Sequence, residues 1–358
     1  MRNWKRWSSS FAVVLLIGGL QASLSMAQPA EPPSIDVAAL VGKQPARLIY
    51  DTDMDSDCDD AGALGILHTL ADRGEVEIIA VTTSALHPKA GPAADVINTY
   101  YGRPNIPIGT ARPPAPDYPS RYAGGVADRF PHDLPEGTDA PDAVAVYREI
   151  LSKQPDGSVT IVTVGDMTNL AKLLVTPAAG DGPDGMTLVK QKVKVWVCMG
   201  GNFIGKPAKD DLKLGNNNFT VDKKATYAAI TQWPTPIVFA GREMCSVPSG
   251  VVAGARLNEV PADHPVRVAY ELYFGGQAKD RHVADLAAVI FSVRGLGDLW
   301  EAESVGSMDL NEDMTFTWNP AGTRTMAYLL KKFDEKGKPN DDAVEAVINE
   351  LLLQPRRE

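Results

Sequence analysis

One local order recurs along this chain: a short apolar run rich in β-branched residues stops at a polar tip, and a helical spacing follows. Arg47-Leu48-Ile49-Tyr50 reads as a strand that runs into Asp51 and Asp53. Leu64, Leu67, Leu70 and Ala71 then recur at helical spacing over 61–71, and 76–83 reads as a second strand ending at Ser84 and His87. The order returns at 159–164, which leads into Gly165-Asp166-Met167-Thr168-Asn169 and a helical stretch at 170–174. It returns again at 193–198 before Met199-Gly200-Gly201-Asn202, and at 236–239 before Ala240-Gly241-Arg242. Strands separated by helices pair as parallel crossovers, so the expected fold is α/β, a mainly parallel sheet flanked by helices on both faces. Ligands of such sheets collect outside the carboxyl ends of the strands, which makes the polar tips the candidate site.

The 358 residues carry this pattern without an internal repeat, and the stretches 112–142 and 177–187, dense in Pro, Gly and Asp, read as loops inside one domain over 47–358. Asp+Glu 45 against Lys+Arg 35 gives a net charge of -10, which argues against a nucleic-acid partner, since a phosphate-tracking surface needs the opposite sign. Ahead of the domain, Arg2, Lys5 and Arg6 precede an apolar run from Phe11 to Leu20, and Ser25-Met26-Ala27 offers a small-x-small cleavage site. Residues 1–27 are therefore expected to be a signal peptide, 28–46 a Pro/Ala-rich linker, and the mature protein periplasmic or secreted. The apolar run is too short to span a bilayer, for which about twenty residues are needed, so no membrane attachment is expected after cleavage. Export of a chain with three cysteines, Cys58, Cys198 and Cys245, allows at most one disulfide. None has a metal-site or redox spacing, and they read as small buried hydrophobes.

The first tip is unlike the others. Asp51, Asp53, Asp55, Asp57, Asp59 and Asp60 place six carboxylates in ten residues between a buried strand and a helix, with no Lys or Arg among them. Like charges this close repel unless a positive group joins them, and a helix N-terminus supplies only about half a charge. A bound cation accounts for the loop better than solvation alone. Oxygen-only ligands are hard, so Ca²⁺ is expected ahead of Mg²⁺, and Zn²⁺ is not expected. An EF-hand is excluded by count: from Asp51 or Asp53 the sixth position is Ser56 or Cys58 where Gly is needed, and the twelfth is Gly62 or Leu64 where Glu is needed. A haloacid-dehalogenase-type, Mg²⁺-dependent phosphatase also opens on a strand followed by Asp-x-Asp, which Asp51-Thr52-Asp53 matches, but no later Lys and paired-acid motif follows.

The residues resemble those of the inosine-uridine preferring nucleoside hydrolases. Leu48-Ile49-Tyr50-Asp51-Thr52-Asp53 with Asp59-Asp60-Ala61-Gly62-Ala63-Leu64 is similar to that family's opening signature, with two extra residues between the acidic pairs. Asn98 to Pro104 with Ile106-Pro107-Ile108-Gly109, Gly165 to Ala171, Met199-Gly200-Gly201, Asn218 to Asp222, Trp233 to Phe239 and Asp285 to Val289 follow in the family's order. The resemblance implies a Rossmann-like nucleoside hydrolase fold and a secreted, Ca²⁺-dependent enzyme that cleaves the N-glycosidic bond of nucleosides, in a family whose members are usually homo-oligomers. It implies metal ligands at Asp53, Asp60, the carbonyl of Thr168 and Asp285, with Asp53 also the general base. It implies sugar contacts from Asp59, Asn202 and Asn218, and an orienting role for Asp51.

This chain departs from the family where the leaving base is handled. Ser84-Ala85-Leu86-His87 stands where an Asn is common after the second strand, Asn216 where a Glu is common, and Ala284 where many members carry His or Trp before the late Asp. His87 and His282 are the candidate substitutes for that lost acid, with Arg242 a further residue that could face the base. The metal and ribose half therefore reads as intact and the leaving-group half as altered, which keeps a non-catalytic sugar- or nucleoside-binding protein as an alternative beside the phosphatase.

Overall fold

The structure, a computed structural model, describes residues 34–42, 45–54, 57–204, 217–246 and 249–357. The expected signal peptide, the linker up to residue 33, Asp55 and Asn216 lie outside the described residues.

Twelve strands are present among them: β1 Ala46–Thr52, β2 Val76–Thr83, β3 Ile108–Thr110, β4 Val159–Thr163, β5 Val193–Met199, β6 Ile237–Ala240, β7 Val252–Ala253, β8 Arg281–His282, β9 Trp300–Glu303, β10 Ser307–Leu310, β11 Phe316–Asn319 and β12 Met326–Lys331. Eight form one sheet in the order β3-β2-β1-β4-β5-β6-β12-β9. Every pairing in it is parallel except β12 with β9. β1 is thus the switch point, with β2 and β3 winding to one side and β4 to β6 to the other. A crevice opens where the winding reverses, between the tips of β1 and β4.

Alternation along each strand sorts the core into two layers. Leu48 and Tyr50 of β1 and Val195 and Val197 of β5 join one layer, while Ile49, Trp196 and Cys198 join the other. The first layer is completed by the helices Asp59–Asp72, Ala284–Arg294 and Asp341–Leu352, and the second by Ala143–Ser152, Thr168–Leu174 and Lys223–Gln232. Helix Asp59–Asp72 lies against both Ala284–Arg294 and Asp341–Leu352. It is buried along nearly its whole length, as an all-round apolar helix must be.

Three boundaries differ from the sequence expectation. Within the stretch read as linker, Ile35, Val37 and Val41 are buried and Val37–Leu40 is helical, so apolar residues spaced among Pro and Ala dock onto the domain before β1. The loop expected at 177–187 ends early, because Asp184 accepts the Thr187 amide at 2.9 Å and starts the helix Gly185–Lys192. The loop expected at 112–142 contains the short helix Ala123–Ala127, whose Ala123, Val126 and Ala127 are buried. Cys58, Cys198 and Cys245 are all buried free thiols. No described helix is long and apolar enough to cross a membrane.

Candidate active site

The acidic tip of β1 is folded back on itself. Met54 takes a left-handed φ of 50°, a strained conformation for a buried side chain. The turn is held because the Met54 amide donates to Thr52 Oγ1 at 3.0 Å and to Asp60 Oδ1 at 3.2 Å, while the Thr52 hydroxyl donates to the same Asp60 oxygen. Tyr50 adds a bond from its hydroxyl to the Asp60 carbonyl at 2.9 Å. Asp59 and Asp60 therefore enter the first turn of helix Asp59–Asp72, and Asp285 enters the first turn of Ala284–Arg294. Two helix N-termini, each favouring negative charge, bring their carboxylates together. One oxygen from each of Asp59, Asp60 and Asp285 lies within 4.8 Å of the others.

These three side chains are 5%, 2% and 4% exposed. Burial pushes all three carboxyls well above the usual range, and neighbouring charges push further: Asp57 on Asp59, Asp53 and then Asp59 on Asp60, Asp59 and then Asp60 on Asp285. Arg281, on the wall of the same cavity, is bonded to Asp57, with Nε at 2.5 Å from Oδ2. The donor set is entirely hard oxygen and fits a divalent cation of the Ca²⁺ or Mg²⁺ kind. A buried polar atom without a partner adds to the fit: the Tyr122 hydroxyl is unpaired, and its phenol is held up by burial and by the charges of Asp60 and Asp53.

Asp53 lines the same cavity, of about 580 Å³, and its Oδ2 accepts the Tyr118 hydroxyl at 2.9 Å. The backbone can come this close to the tip of β4 only because residue 165 is glycine. A Cβ there would lie 2.6 Å from the Asp53 amide nitrogen and 2.7 Å from Ser84 Oγ. Asp166, next along, accepts the Thr168 amide at 2.9 Å, and burial raises its carboxyl to about 6. Thr168 is buried at the start of its helix, with its hydroxyl donating to Asp222 Oδ2 at 2.9 Å.

Asp51 faces the other layer. Its Oδ2 accepts the Tyr147 hydroxyl at 2.8 Å, Asn169 Nδ2 donates to it at 3.2 Å, and burial lifts its carboxyl to about 7. Asn169 Nδ2 also donates to the Thr83 carbonyl at 3.1 Å, so Asp51 ties the tips of β1 and β2 to the helix that carries Thr168. Its bonds run to that framework rather than to the three clustered carboxylates. A phosphatase would need Asp51 as an accessible nucleophile, and it is 0% exposed; that reading falls.

The structure divides the remaining candidates. Asn218 lines the cavity and donates Nδ2 to the carbonyls of Val164 and Met199, clamping β4 to β5. His282, Arg242 and Ala284 also line it. His87 does not: its ring accepts the Lys89 amide at 3.2 Å outside the cavity wall. Nor does Asn202, whose amide, oriented to satisfy its bonds, donates to Glu243 Oε1 at 2.8 Å and to the Ile204 carbonyl at 3.1 Å. Glu243 also takes the Ile204 amide at 2.7 Å, so one buried carboxylate organises the loop after β5. Glu243 stands at a strand tip, where sequence reading looks for the site, but Tyr118 and Tyr122 were missed. The tyrosines sit in a stretch whose Pro and Gly content reads only as loop.

A family model described as inosine-uridine preferring nucleoside hydrolase matches residues 48–348. No curated protein matches the chain in sequence. Among solved structures, an inosine-uridine preferring nucleoside hydrolase from Bacillus anthracis aligns over 86% of this chain and 99% of its own, at 16% identity and a TM-score of 0.59. A purine-preferring ribonucleoside hydrolase from Gardnerella vaginalis aligns over 86% and 98%, at 15% and 0.59. The type III effector protein XopQ, solved with adenosine diphosphate ribose, aligns over 88% and 96%, at 15% and 0.61. At these identities the likeness is one of fold.

Proposed function

Since the chain belongs to the inosine-uridine preferring nucleoside hydrolases, hydrolases of N-glycosyl compounds, we propose that it cleaves a nucleoside to ribose and free base with a divalent cation, Ca²⁺ before Mg²⁺. The observation that carries this reading is the convergence of Asp59, Asp60 and Asp285 within 4.8 Å at the carboxyl end of the sheet. Asp53 and the Thr168 carbonyl would complete the ligand set. A dication bound there would lower the pKa of the attacking water and anchor the sugar hydroxyls.

The chain's own residues account for the other steps. Asp53 takes the proton from the attacking water. Asp59 accepts from a ribose hydroxyl, with Asn218 beside it in the same cavity. As the C–N bond breaks, its electron pair leaves with the base and positive charge develops on the ribosyl ring, which the buried carboxylates stabilise. His282, exposed on the cavity wall, would protonate the departing base, and Arg242, on the same wall, would face it. We extend the proposal to export, on the strength of the Arg2/Lys5/Arg6, apolar run and Ser25-Met26-Ala27 pattern. Amino-terminal sequencing of the mature protein would check the cleavage.

Ala284 favours a second reading. It puts a methyl group on the cavity wall where a proton donor to the base would be useful, which suits a protein that binds a sugar or nucleoside without turning it over. The deciding experiment is reducing-sugar release from purine and pyrimidine nucleosides by the purified mature protein, with Ca²⁺ and after chelation. Release that chelation abolishes supports hydrolysis. Ca²⁺ and nucleoside binding without release supports the second reading.

A further inference from the structure

We propose that Tyr118 is a positioning residue for Asp53, fixing which carboxylate oxygen faces the reaction; this rests on the nucleosidase reading above. The terminal torsion of an aspartate is broad and two-fold, so an unheld carboxylate presents its oxygens interchangeably. A base that must take a proton from one attacking water benefits from having one oxygen tied off. The Tyr118 hydroxyl does this, donating to Asp53 Oδ2 at 2.9 Å. A phenol carries its proton across the neutral range and is a constant donor.

The loop is built to deliver that hydroxyl. Two residues before it, the Pro116 carbonyl accepts the Leu86 amide at 2.8 Å, fastening the strand of loop to the segment after β2. Two residues after it, Ser120 Oγ accepts the amides of Tyr122 at 3.3 Å and Ala123 at 3.0 Å, capping the helix Ala123–Ala127. Tyr122, four residues on, is buried within the field of the same carboxylates, burial and then the charges of Asp60 and Asp53 raising its phenol. Tyr118 is therefore bracketed by anchors on both sides, which a loop serving only as a connection would not need.

Tyr118→Phe removes one oxygen and leaves the ring, so it isolates the bond. Two quantities are measured on wild type and variant: kcat and KM for a nucleoside that the wild type cleaves, and the affinity for Ca²⁺ alone by titration calorimetry. The expected result is a ten- to hundredfold lower kcat, the order that a misplaced reacting group costs, with KM changed less than about threefold and melting temperature held. A several-fold weaker Ca²⁺ affinity would show the same positioning without turnover. Should the wild type cleave no nucleoside while Tyr118→Phe still weakens Ca²⁺ binding, the positioning role stands and the nucleosidase reading falls. For a wild type that turns over, an unchanged kcat overturns the proposal whatever KM does; for one that does not, an unchanged Ca²⁺ affinity overturns it. A wild type that neither cleaves nor binds Ca²⁺ overturns both.

Discussion

Tyr147, on the helix Ala143–Ser152, donates its hydroxyl to Asp51 at 2.8 Å, joining the second core layer to the tip of the central strand. With the Asn169 amide on the same carboxyl, Asp51 is a structural tie. Asp51→Ala would strand two buried donors, each worth about 1–3 kcal/mol when left unpaired. We expect a loss of roughly 3 kcal/mol in urea unfolding, with activity falling as the folded fraction falls.

Asp285 should behave in the opposite way. In the cation-free protein it adds a like charge to a buried cluster, so Asp285→Asn is expected to leave melting temperature unchanged or higher under chelation. The same variant should lose at least a thousandfold in turnover and most of the thermal shift that Ca²⁺ gives the wild type. That shift corresponds to about 2.7 kcal/mol when the ion is a hundredfold above its Kd. Differential scanning fluorimetry with Ca²⁺ and with chelator reads both, and a chelated variant that melts well below the wild type would show that repulsion is not what governs this cluster.

Gly165 lies where the tips of β1 and β4 pass closely. A single methyl group there meets the Asp53 backbone at 2.6 Å, and backbone has nowhere to yield. Gly165→Ala should cost about 1–3 kcal/mol, the range for overpacking, and should depress activity more than a surface Gly→Ala change such as Gly276→Ala, where an added Cβ meets nothing. Parallel unfolding and sugar-release assays on the two variants would test the contrast.

Two buried histidines set the acid limb of stability. His68 lies 2.8 Å from Asn98 Oδ1 and stacks on Tyr101, and the Nδ1 atoms of both His68 and His264 are buried without partners. Burial lowers His68 to about 3 and His264 to about 4. The unfolded chain protonates them near pH 6.5, the folded chain far lower, so their contribution is complete above 6.5 and declines as pH falls from there toward 4. The loss should be on the order of 2 kcal/mol per histidine by pH 4. Replacing His264 with Gln should flatten that limb in urea titrations at stepped pH. The difference between the two proteins isolates the histidine from Asp51, whose raised carboxyl acts in the opposite sense.

The parallel sheet and the acidic centre were legible because both are local. Each strand from β1 to β6 that carries the site is a run such as Val159 to Val164, apolar on both faces, and Asp53, Asp59 and Asp60 sit within eight residues. The role of Asp59 was less so: the resemblance implies a sugar contact, while the structure brings one of its oxygens within 4.8 Å of Asp60 and Asp285. His87 and Asn202 lie outside the cavity lining because position after a strand does not fix side-chain direction, and neighbours such as Glu243 decide it. β9 and β12 gave little signal. They close the sheet at one side and carry Glu301, Glu303 and Lys331, which break an apolar run. Tyr118 was invisible because it acts across a loop whose path depends on the Leu86 and Ser120 anchors.

The placement of helix Asp59–Asp72 between Ala284–Arg294 and Asp341–Leu352 bears on when the centre can form. Its Thr69 hydroxyl bonds the Leu351 carbonyl at 3.0 Å, and Arg73 bonds Glu350 at 2.8 Å. The acidic loop is made early in synthesis, yet the helix that brings Asp285 to it and the helix that braces Thr69 and Arg73 both belong to the last quarter of the chain. An amino-terminal fragment would hold most of the carboxylates with nothing to enclose them. The centre therefore lacks its third carboxylate until Asp285 is made, and a truncation or bulky fusion at the carboxyl-terminal helix would loosen the far end of the helix whose first turn carries Asp59 and Asp60.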